Sequence, residues 1–336
     1  MSSLKYISFV VPCYNSSEYM RKCVDSLLVG GNDVEIIIID DGSIDDTLSI
    51  ARDYEKKYPK IVRAIHQKNG GHGEGINTGL KYASGKYFKV VDSDDWVDKR
   101  ALKKAIKLVK SIDSDLVVTN YVYTYKDNRP DKAINFSNVF PCDKEITWDD
   151  IGRFKATQYL SLHSMMYKKS VLDEAKIKLP KHVFYEDNLF IYWPLPYTKT
   201  IYYLDFDFYR YFIGREDQSV QKSQMIKRSS HQVLVSREVC NKYNLSDIEN
   251  KKLRKLMKRE CVFLMTIGVV FSRIGKTKEG ERQYKELWKS VKRDNPKLYY
   301  RIRYTSKASL VSIPTKLGRF IAVFGYNLAY RLVNFN

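Results

Sequence analysis

Four short apolar runs, separated by helix-spaced segments, fix what the first hundred residues can become. They are residues 6–12, 35–39, 61–65 and 87–91. Runs this short and this rich in Val, Ile, Phe and Tyr suit strands buried on both faces. Pro12 is expected to end the first. Between the first two, Tyr19, Cys23, Val24, Leu27 and Leu28 fall at helical spacing over residues 18–29, with Ser16 or Ser17 as N-cap. A second helix is expected over 46–57, capped by Ser43 or Asp45. The order β-α-β-α-β predicts an α/β fold built on a parallel, doubly wound sheet.

The fourth run ends in Asp92, Asp94 and Asp95. Three carboxylates at one strand end repel one another and are costly to bury. A hard divalent cation answers that charge, because carboxylate oxygens suit Mg²⁺ or Mn²⁺, and such a cation keeps positions open for phosphate oxygens. A metal-bridged diphosphate at the carboxyl end of a strand is one reading. A solvated acidic turn that caps the helix starting near Asp98 is the other. Just upstream, four glycines in the six residues 70–75 precede Asn77-Thr78-Gly79-Leu80. They permit close backbone approach to a phosphate or ribose. No Gly-Lys-Ser/Thr follows, so this is not a nucleoside-triphosphate loop, and the glycines come after the third strand rather than the first, unlike a dinucleotide fingerprint.

Farther on, the pattern predicts a Lys-rich helix over 99–111, a strand at 116–121, a polar excursion over 122–150, a helix over 151–160, a strand at 163–167 and a helix over 168–176. Glu186-Asp187 then opens an aromatic helix, and residues 202–211 form an aromatic strand. Helices are expected near 225–243, 247–271 and 279–293. Five scattered cysteines (Cys13, Cys23, Cys142, Cys240 and Cys261) form no Cys-x-x-Cys pair. They argue against a disulfide framework or a zinc site and for a reducing compartment. Neither a secretory signal nor a membrane-spanning run is read from the chain.

Taken in order, Val10-Val11-Pro12-Cys13-Tyr14-Asn15, Ile39-Asp40-Asp41-Gly42-Ser43, Asn69-Gly70-Gly71 with Asn77-Thr78-Gly79-Leu80, Asp92-Ser93-Asp94-Asp95 and Glu186-Asp187 resemble an inverting glycosyltransferase of family 2. The bacterial cell-envelope and exopolysaccharide type is the nearest in pattern. The resemblance covers residues 6 to about 220 and implies a GT-A fold. It implies a nucleotide-sugar site at Pro12, Tyr14, Asn15, Asp41, Gly71, Asn77, Asp92 and Asp94, with a UDP-sugar as donor. It implies Mn²⁺ or Mg²⁺ at Asp94 and Asp95, with the direct ligand among Asp92, Asp94 and Asp95 left open. Asp187 is the implied general base, with Glu186 beside it; opening a helix is the alternative role for this acidic pair. His163 and Ser164 fall where relatives shape the acceptor pocket, although a lone histidine is often structural. Arg210 would lie near the diphosphate or acceptor, or pair with Asp205 or Asp207. The processive Gln-x-x-Arg-Trp element is missing, which favours transfer of one or a few sugars. A nucleotidyltransferase acting on a sugar phosphate is the alternative enzyme class, but its basic Gly-rich loop is not found. An inactive glycan-binding domain is the non-enzymatic alternative, and the intact Asp94, Asp95 and Asp187 argue against it.

The net charge of +19 is uneven. Residues 1–220 carry 32 Lys/Arg and 31 Asp/Glu, whereas 221–336 carry 26 and 8, so +18 lies in the last third. Two domains are therefore expected, 1–220 and a basic helical 221–336, with an anionic partner for the second. In residues 315–333, Leu317, Phe320, Ile321, Phe324, Leu328 and Leu332 share one helical face, flanked by Lys316, Arg319 and Arg331. An apolar face serves an anionic membrane surface and is not needed for nucleic acid; packing on the domain is the plainer use of it. The expectation is a cytoplasmic enzyme, peripheral on the inner membrane face, using a lipid-linked or cell-envelope glycan acceptor.

Overall fold

The computed structural model describes residues 4–127, 129–214, 222–306 and 308–333. They divide into two compact units, Met1–Val183 with Pro196–Ile213, and Phe184–Leu195 with Gly214–Asn336.

The first unit is built on one mixed sheet. Its strands are β1 (Ile7–Cys13), β2 (Val34–Asp40), β3 (Val62–His66), β4 (Tyr87–Val90), β5 (Trp96–Val97), β6 (Leu116–Tyr125), β7 (Lys132–Ile134), β8 (Glu145–Thr147), β9 (Met165–Lys168) and β10 (Thr200–Ile213). The main order is β3-β2-β1-β4-β9-β6-β10-β5, with β7 beside β6 and β8 beside β10. Pairing is parallel from β3 to β4, as the alternating pattern requires, and antiparallel where β9 enters beside β4 and β6. The helices are α1 (Met20–Leu27), α2 (Thr47–Lys57), α3 (His72–Tyr82), α4 (Lys99–Val109) and α5 (Lys169–Glu174). Every residue of β1 is buried, consistent with a strand covered on both faces.

Several local expectations change. Pro12 does not end β1, which runs to Cys13. Val10 accepts from Val91 N on the β4 side, so Pro12, two residues on, faces the same way just beyond the last β1–β4 pair, Val10 with Val90, and no N–H is needed there. Ser16 and Ser17 do not cap α1; its N-cap is Tyr19, with no side-chain bond. The N-cap of α2 is Asp46, while Asp45 Oδ1 accepts from Thr47 N. Asp98, rather than Asp94 or Asp95, caps α4 by accepting from Arg100 N and Ala101 N. The glycine run is not a free loop: α3 starts at His72 and includes Gly73, Gly75 and Gly79. A Cβ on Gly75 would sit 3.0 Å from Pro12 Cβ, and one on Gly79 would collide with Val10. These two glycines let α3 lie close on β1.

The excursion over 122–150 contains the end of β6, β7 and β8, and buries Phe136, Phe140 and Trp148. Residues 151–160 form no helix. Phe154 is instead drawn into a ring cluster with Phe136 and Phe140, at centroid distances of 6.5 and 5.9 Å.

The second unit is helical: α6 (Asp187–Tyr192), α7 (Lys222–Lys227), α8 (Ser229–Lys242), α9 (Lys251–Ile274), α10 (Lys278–Asp294), α11 (Pro296–Thr305), α12 (Ala308–Val311) and α13 (Lys316–Val333). Among the described residues no strand follows Ile213. The expected break near residue 220 lies outside them, as do the side chains of Leu328, Arg331 and Leu332 from the expected apolar face. No helix among the described residues is long and apolar enough to cross a membrane.

Candidate functional site

The carboxyl end of β4 turns at once. Asp95 N donates to Asp92 O, which closes a tight turn over Asp92–Asp95. The two residues after it form β5, which pairs antiparallel with β10 through Val97 with Tyr209 and Trp96 with Arg210. That pairing lays β10 across the acidic turn. Tyr209 Oη donates to Asp95 Oδ2 at 2.7 Å and accepts from Asp92 N at 3.1 Å, and Phe212 N donates to Asp95 Oδ1 at 2.8 Å. Asp95 is fully buried with both oxygens engaged, whereas Asp92 and Asp94 are partly exposed. Burial, reinforced by the charges of Asp94 and Asp92, pushes the Asp95 pKa well above the usual carboxylate range.

Asp92 behaves in the opposite way. Burial works to raise its pKa, but His163 and His72 outweigh that and hold it below the ordinary value. His72 Nε2 lies 3.0 Å from Asp92 Oδ1 and His163 Nε2 lies 3.7 Å from Oδ2. The His163 ring is held between Tyr211 and Tyr209, at centroid distances of 4.3 and 4.8 Å, and its Nδ1 lies 2.9 Å from Ser161 Oγ. Asp92, Asp95 and His163 each bring a donor atom within 4.8 Å of the others. Two carboxylates and an imidazole fit a divalent cation such as Mn²⁺, and an orienting partner on the far ring nitrogen is usual for such a histidine. Asp94 stands in the same turn, outside that trio.

Beneath the turn lies Lys89, which the sequence reading missed. It is 1% exposed, and its ammonium donates to the carbonyls of Leu162, His163 and Met165 at 2.8, 2.7 and 3.1 Å. It also lies 4.9 Å from the Tyr209 ring centroid. Burial lowers its pKa to about 7, against the pull of Asp92 and Asp95. The charge at this strand end is therefore answered partly by the chain's own cations. The signal for Lys89 was a cation in an otherwise apolar strand; for His72 it was a histidine set among the glycines of residues 70–75.

The remaining sequence-predicted residues divide sharply. Asp41 is 3% exposed and accepts from Gln67 Nε2, Gly70 N and Gly71 N at 2.7, 2.9 and 2.7 Å. It thereby fixes the entry to α3, where Gly71 has φ 85° and packs on the backbone of His182. Its neighbour Asp40 is also buried, and its Oδ2 lies 2.6 Å from His66 Nδ1. Asn15, at φ 49°, ties two loops: its N donates to Ser43 Oγ and its Oδ1 accepts from Ile44 N. The neighbouring Tyr14 is 55% exposed and leaves an aromatic face in solvent. Ser16 and Ser93 hydroxyls meet at 2.8 Å and join this loop to the acidic turn. Pro12 packs under α3. Asn77 is engaged with the backbone N–H and C=O of Leu179. Ser164 is buried and bonds both ways with the Ser161 backbone. Arg210 pairs with Asp131 at 3.1 Å and lies 4.0 Å from Asp98, in place of Asp205 or Asp207; Asp205 instead accepts from Asn120 and Tyr203. Glu186 and Asp187 belong to the second unit, with Glu186 buried as the N-cap residue of α6 and Asp187 its first residue, accepting from Asn188 Nδ2 at 3.0 Å.

Against known proteins, the model of glycosyl transferase family 2 matches residues 8–175. A poly(ribitol-phosphate) beta-glucosyltransferase of Bacillus spizizenii is 30% identical over 265 residues, 77% of this chain but 39% of that protein's length. The putative glycosyltransferase EpsH of Bacillus subtilis is 25% identical over 269 residues, covering 77% of this chain and 74% of its own. Among solved structures, S. aureus TarS 1-349 in complex with UDP-GlcNAc superposes with a TM-score of 0.67 at 21% identity, over 96% of this chain and 92% of that one. A mannosyltransferase of Pyrobaculum calidifontis, in complex with GDP-Man and Mn²⁺, reaches 0.54 at 12% identity, over 97% and 88%. The TarS likeness carries the GT-A fold.

Proposed function

We propose that this chain, which belongs to glycosyl transferase family 2, moves a single hexosyl or hexosaminyl residue from a nucleotide-sugar to a hydroxyl of a cell-envelope glycan, with inversion. The observation that carries the reading is the acidic turn Asp92–Asp95 at the carboxyl end of β4, with His163 beside it and the Asp41-held glycine entry next to it. An open α/β sheet binds nucleotides at such strand ends. A UDP-sugar is the donor we favour, because the TarS neighbour holds UDP-GlcNAc. Tyr14 offers its exposed ring to the base. Asp41 holds the backbone of Gly70 and Gly71, the segment we assign to the ribose and diphosphate.

Asp92, Asp95 and His163 would hold Mn²⁺ or Mg²⁺, with Asp94 a further carboxylate of the same turn. When bound, the cation supplies positive charge to the departing diphosphate. The chain's own chemistry is a proton transfer. Asp187 takes the proton of the acceptor hydroxyl as that oxygen attacks the anomeric carbon. The bond from that carbon to the diphosphate oxygen breaks as the new glycosidic bond forms, and no covalent intermediate is required. The acceptor we favour is a lipid-linked precursor of an envelope polymer, used at the cytoplasmic face of the membrane by a peripheral enzyme.

The test is calorimetric titration of UDP with and without Mn²⁺, on wild type and on Asp92→Asn and Asp94→Asn. UDP binding that needs Mn²⁺ and is lost in Asp92→Asn supports the site. No UDP binding with any cation would overturn the donor assignment, and UDP binding that does not need Mn²⁺ would overturn the metal site.

A further inference from the structure

The chain carries no Asp or Glu after Asp294, while Lys297, Arg301, Arg303, Lys307, Lys316, Arg319 and Arg331 follow. The same stretch holds an excess of exposed apolar surface. Of twelve large apolar side chains exposed among the described residues, six fall between 300 and 324: Tyr300, Tyr304, Leu310, Leu317, Phe320 and Phe324. On α13 the split is clean. Gly318 and Ala322 are buried, and Leu317, Phe320 and Phe324 stand 62, 65 and 58% exposed on the opposite side. The Phe320 and Phe324 rings stack at 5.9 Å, and those of Tyr300 and Tyr304 at 6.1 Å. A shallow cavity of about 450 Å³ is lined by Lys276, Lys316 and Arg319 together with Phe320, Val323 and Phe324, so cations rim the apolar patch. Buried Arg273 fixes the turn into α13 by donating to the carbonyls of Val311 and Ile313 at 3.0 Å each.

Resting on the peripheral placement proposed above, we infer that α11 to α13 form an interfacial membrane surface, in which Leu317, Phe320 and Phe324 enter the headgroup–acyl boundary of an anionic leaflet and the surrounding Lys and Arg hold its lipid phosphates. Charge decides among occupants. A second copy of the chain would set one net-positive surface against another, in which Arg319 is already paired with Glu281 at 3.1 Å and the other cations have no acid to meet from residues 295–336. A soluble polyanion would satisfy the cations and leave the Phe and Leu side chains in water. An anionic bilayer satisfies both, with Tyr300 and Tyr304 suited to the headgroup level.

The experiment is cosedimentation of the full chain with vesicles of phosphatidylcholine alone and with 30% phosphatidylglycerol (about one lipid in three), without UDP or Mn²⁺. Binding is expected only to the anionic vesicles. Phe320→Ser with Phe324→Ser should cut the partition at least tenfold (about 1.4 kcal/mol or more). Lys316→Gln should cut it about fivefold. Because these side chains are exposed, UDP binding and melting temperature should not change; loss of UDP binding with vesicle binding intact would count against the transferase reading alone. No vesicle binding, binding untouched by the double Phe change, or a dimer without lipid that the double change dissolves would each overturn the surface.

Discussion

The nucleotide role proposed for Asp41 and its observed part in loop architecture make different demands, and one substitution separates them. Its buried carboxylate accepts three hydrogen bonds, two of them from the backbone N–H groups of Gly70 and Gly71. Hydrogen bonds to a charged acceptor contribute about 1.5–3 kcal/mol each. In Asp41→Ala the partly exposed Gln67 amide recovers water, but the two glycine N–H groups lose their partner. The expected loss is about 4 kcal/mol, or roughly 10 °C in melting temperature for a unit of this size. Asp41→Asn keeps one acceptor oxygen for Gln67 and Gly70 and turns an amide donor toward Gly71 N, a loss of about 2 kcal/mol. Both changes release the entry to α3, so His72 loses its register on Asp92 and UDP affinity falls about tenfold or more. Thermal denaturation with UDP calorimetry on both variants checks this. A variant Asp41→Ala that melts within 2 °C of wild type (less than about 1 kcal/mol) while UDP binding disappears would refute the loop-holding account, and would show that the carboxylate acts on the ligand.

Two other buried ionisable groups give independent checks. Lys89→Met keeps the length of the side chain and removes three hydrogen bonds to the 162–165 segment; we expect about 3 kcal/mol lower stability by urea denaturation and severalfold weaker Mn²⁺ binding as His163 loosens, and unchanged values for both would refute the clamp. Burial raises the Glu260 pKa to about 7, with Arg259 opposing; the unfolded chain gives up that proton near pH 4.3, so this residue makes stability fall as pH rises from about 4 to 7, by on the order of 3 kcal/mol, with no further change above. Glu260→Gln should therefore gain on wild type across that window, and a stability difference that does not vary with pH would exclude the effect.

The local chemistry of the site was legible residue by residue. Asp92, Asp94 and Asp95 announce a charge problem at a strand end, and Gly71 a backbone position with φ 85°. Their partners were not legible, because the partners arrive by tertiary pairing. Tyr209 reaches Asp95 only because β5 pairs with β10, a contact 114 residues apart in sequence. His163 reaches Asp92 because β9 runs antiparallel between β4 and β6. Residues 151–160 show the reverse error: their spacing suits a helix, but burial of Gln158 on Asn135 and Asn138, and of Phe154's neighbours Phe136 and Phe140, holds them as a packed loop. For Arg210 the sequence offers a place near the diphosphate or acceptor, or a pair with Asp205 or Asp207; the register of β10 pairs it with Asp131 in place of either aspartate.

By itself the sequence determined the alternation of strand and helix over the first hundred residues, the family, and the concentration of positive charge in the last third. The first and the last depend on composition and spacing along the chain, where burial of short apolar runs and the repulsion of like charges already act; the family is carried by the resemblance of its motifs. Only the tertiary structure decided that the sheet becomes mixed beyond β4, that Asp95 is buried while Asp92 stays partly exposed, and that a buried lysine lies beneath them. Those outcomes depend on which distant side chain meets a buried charge, and the desolvation cost of leaving one unpaired is settled only once the strands have chosen their neighbours.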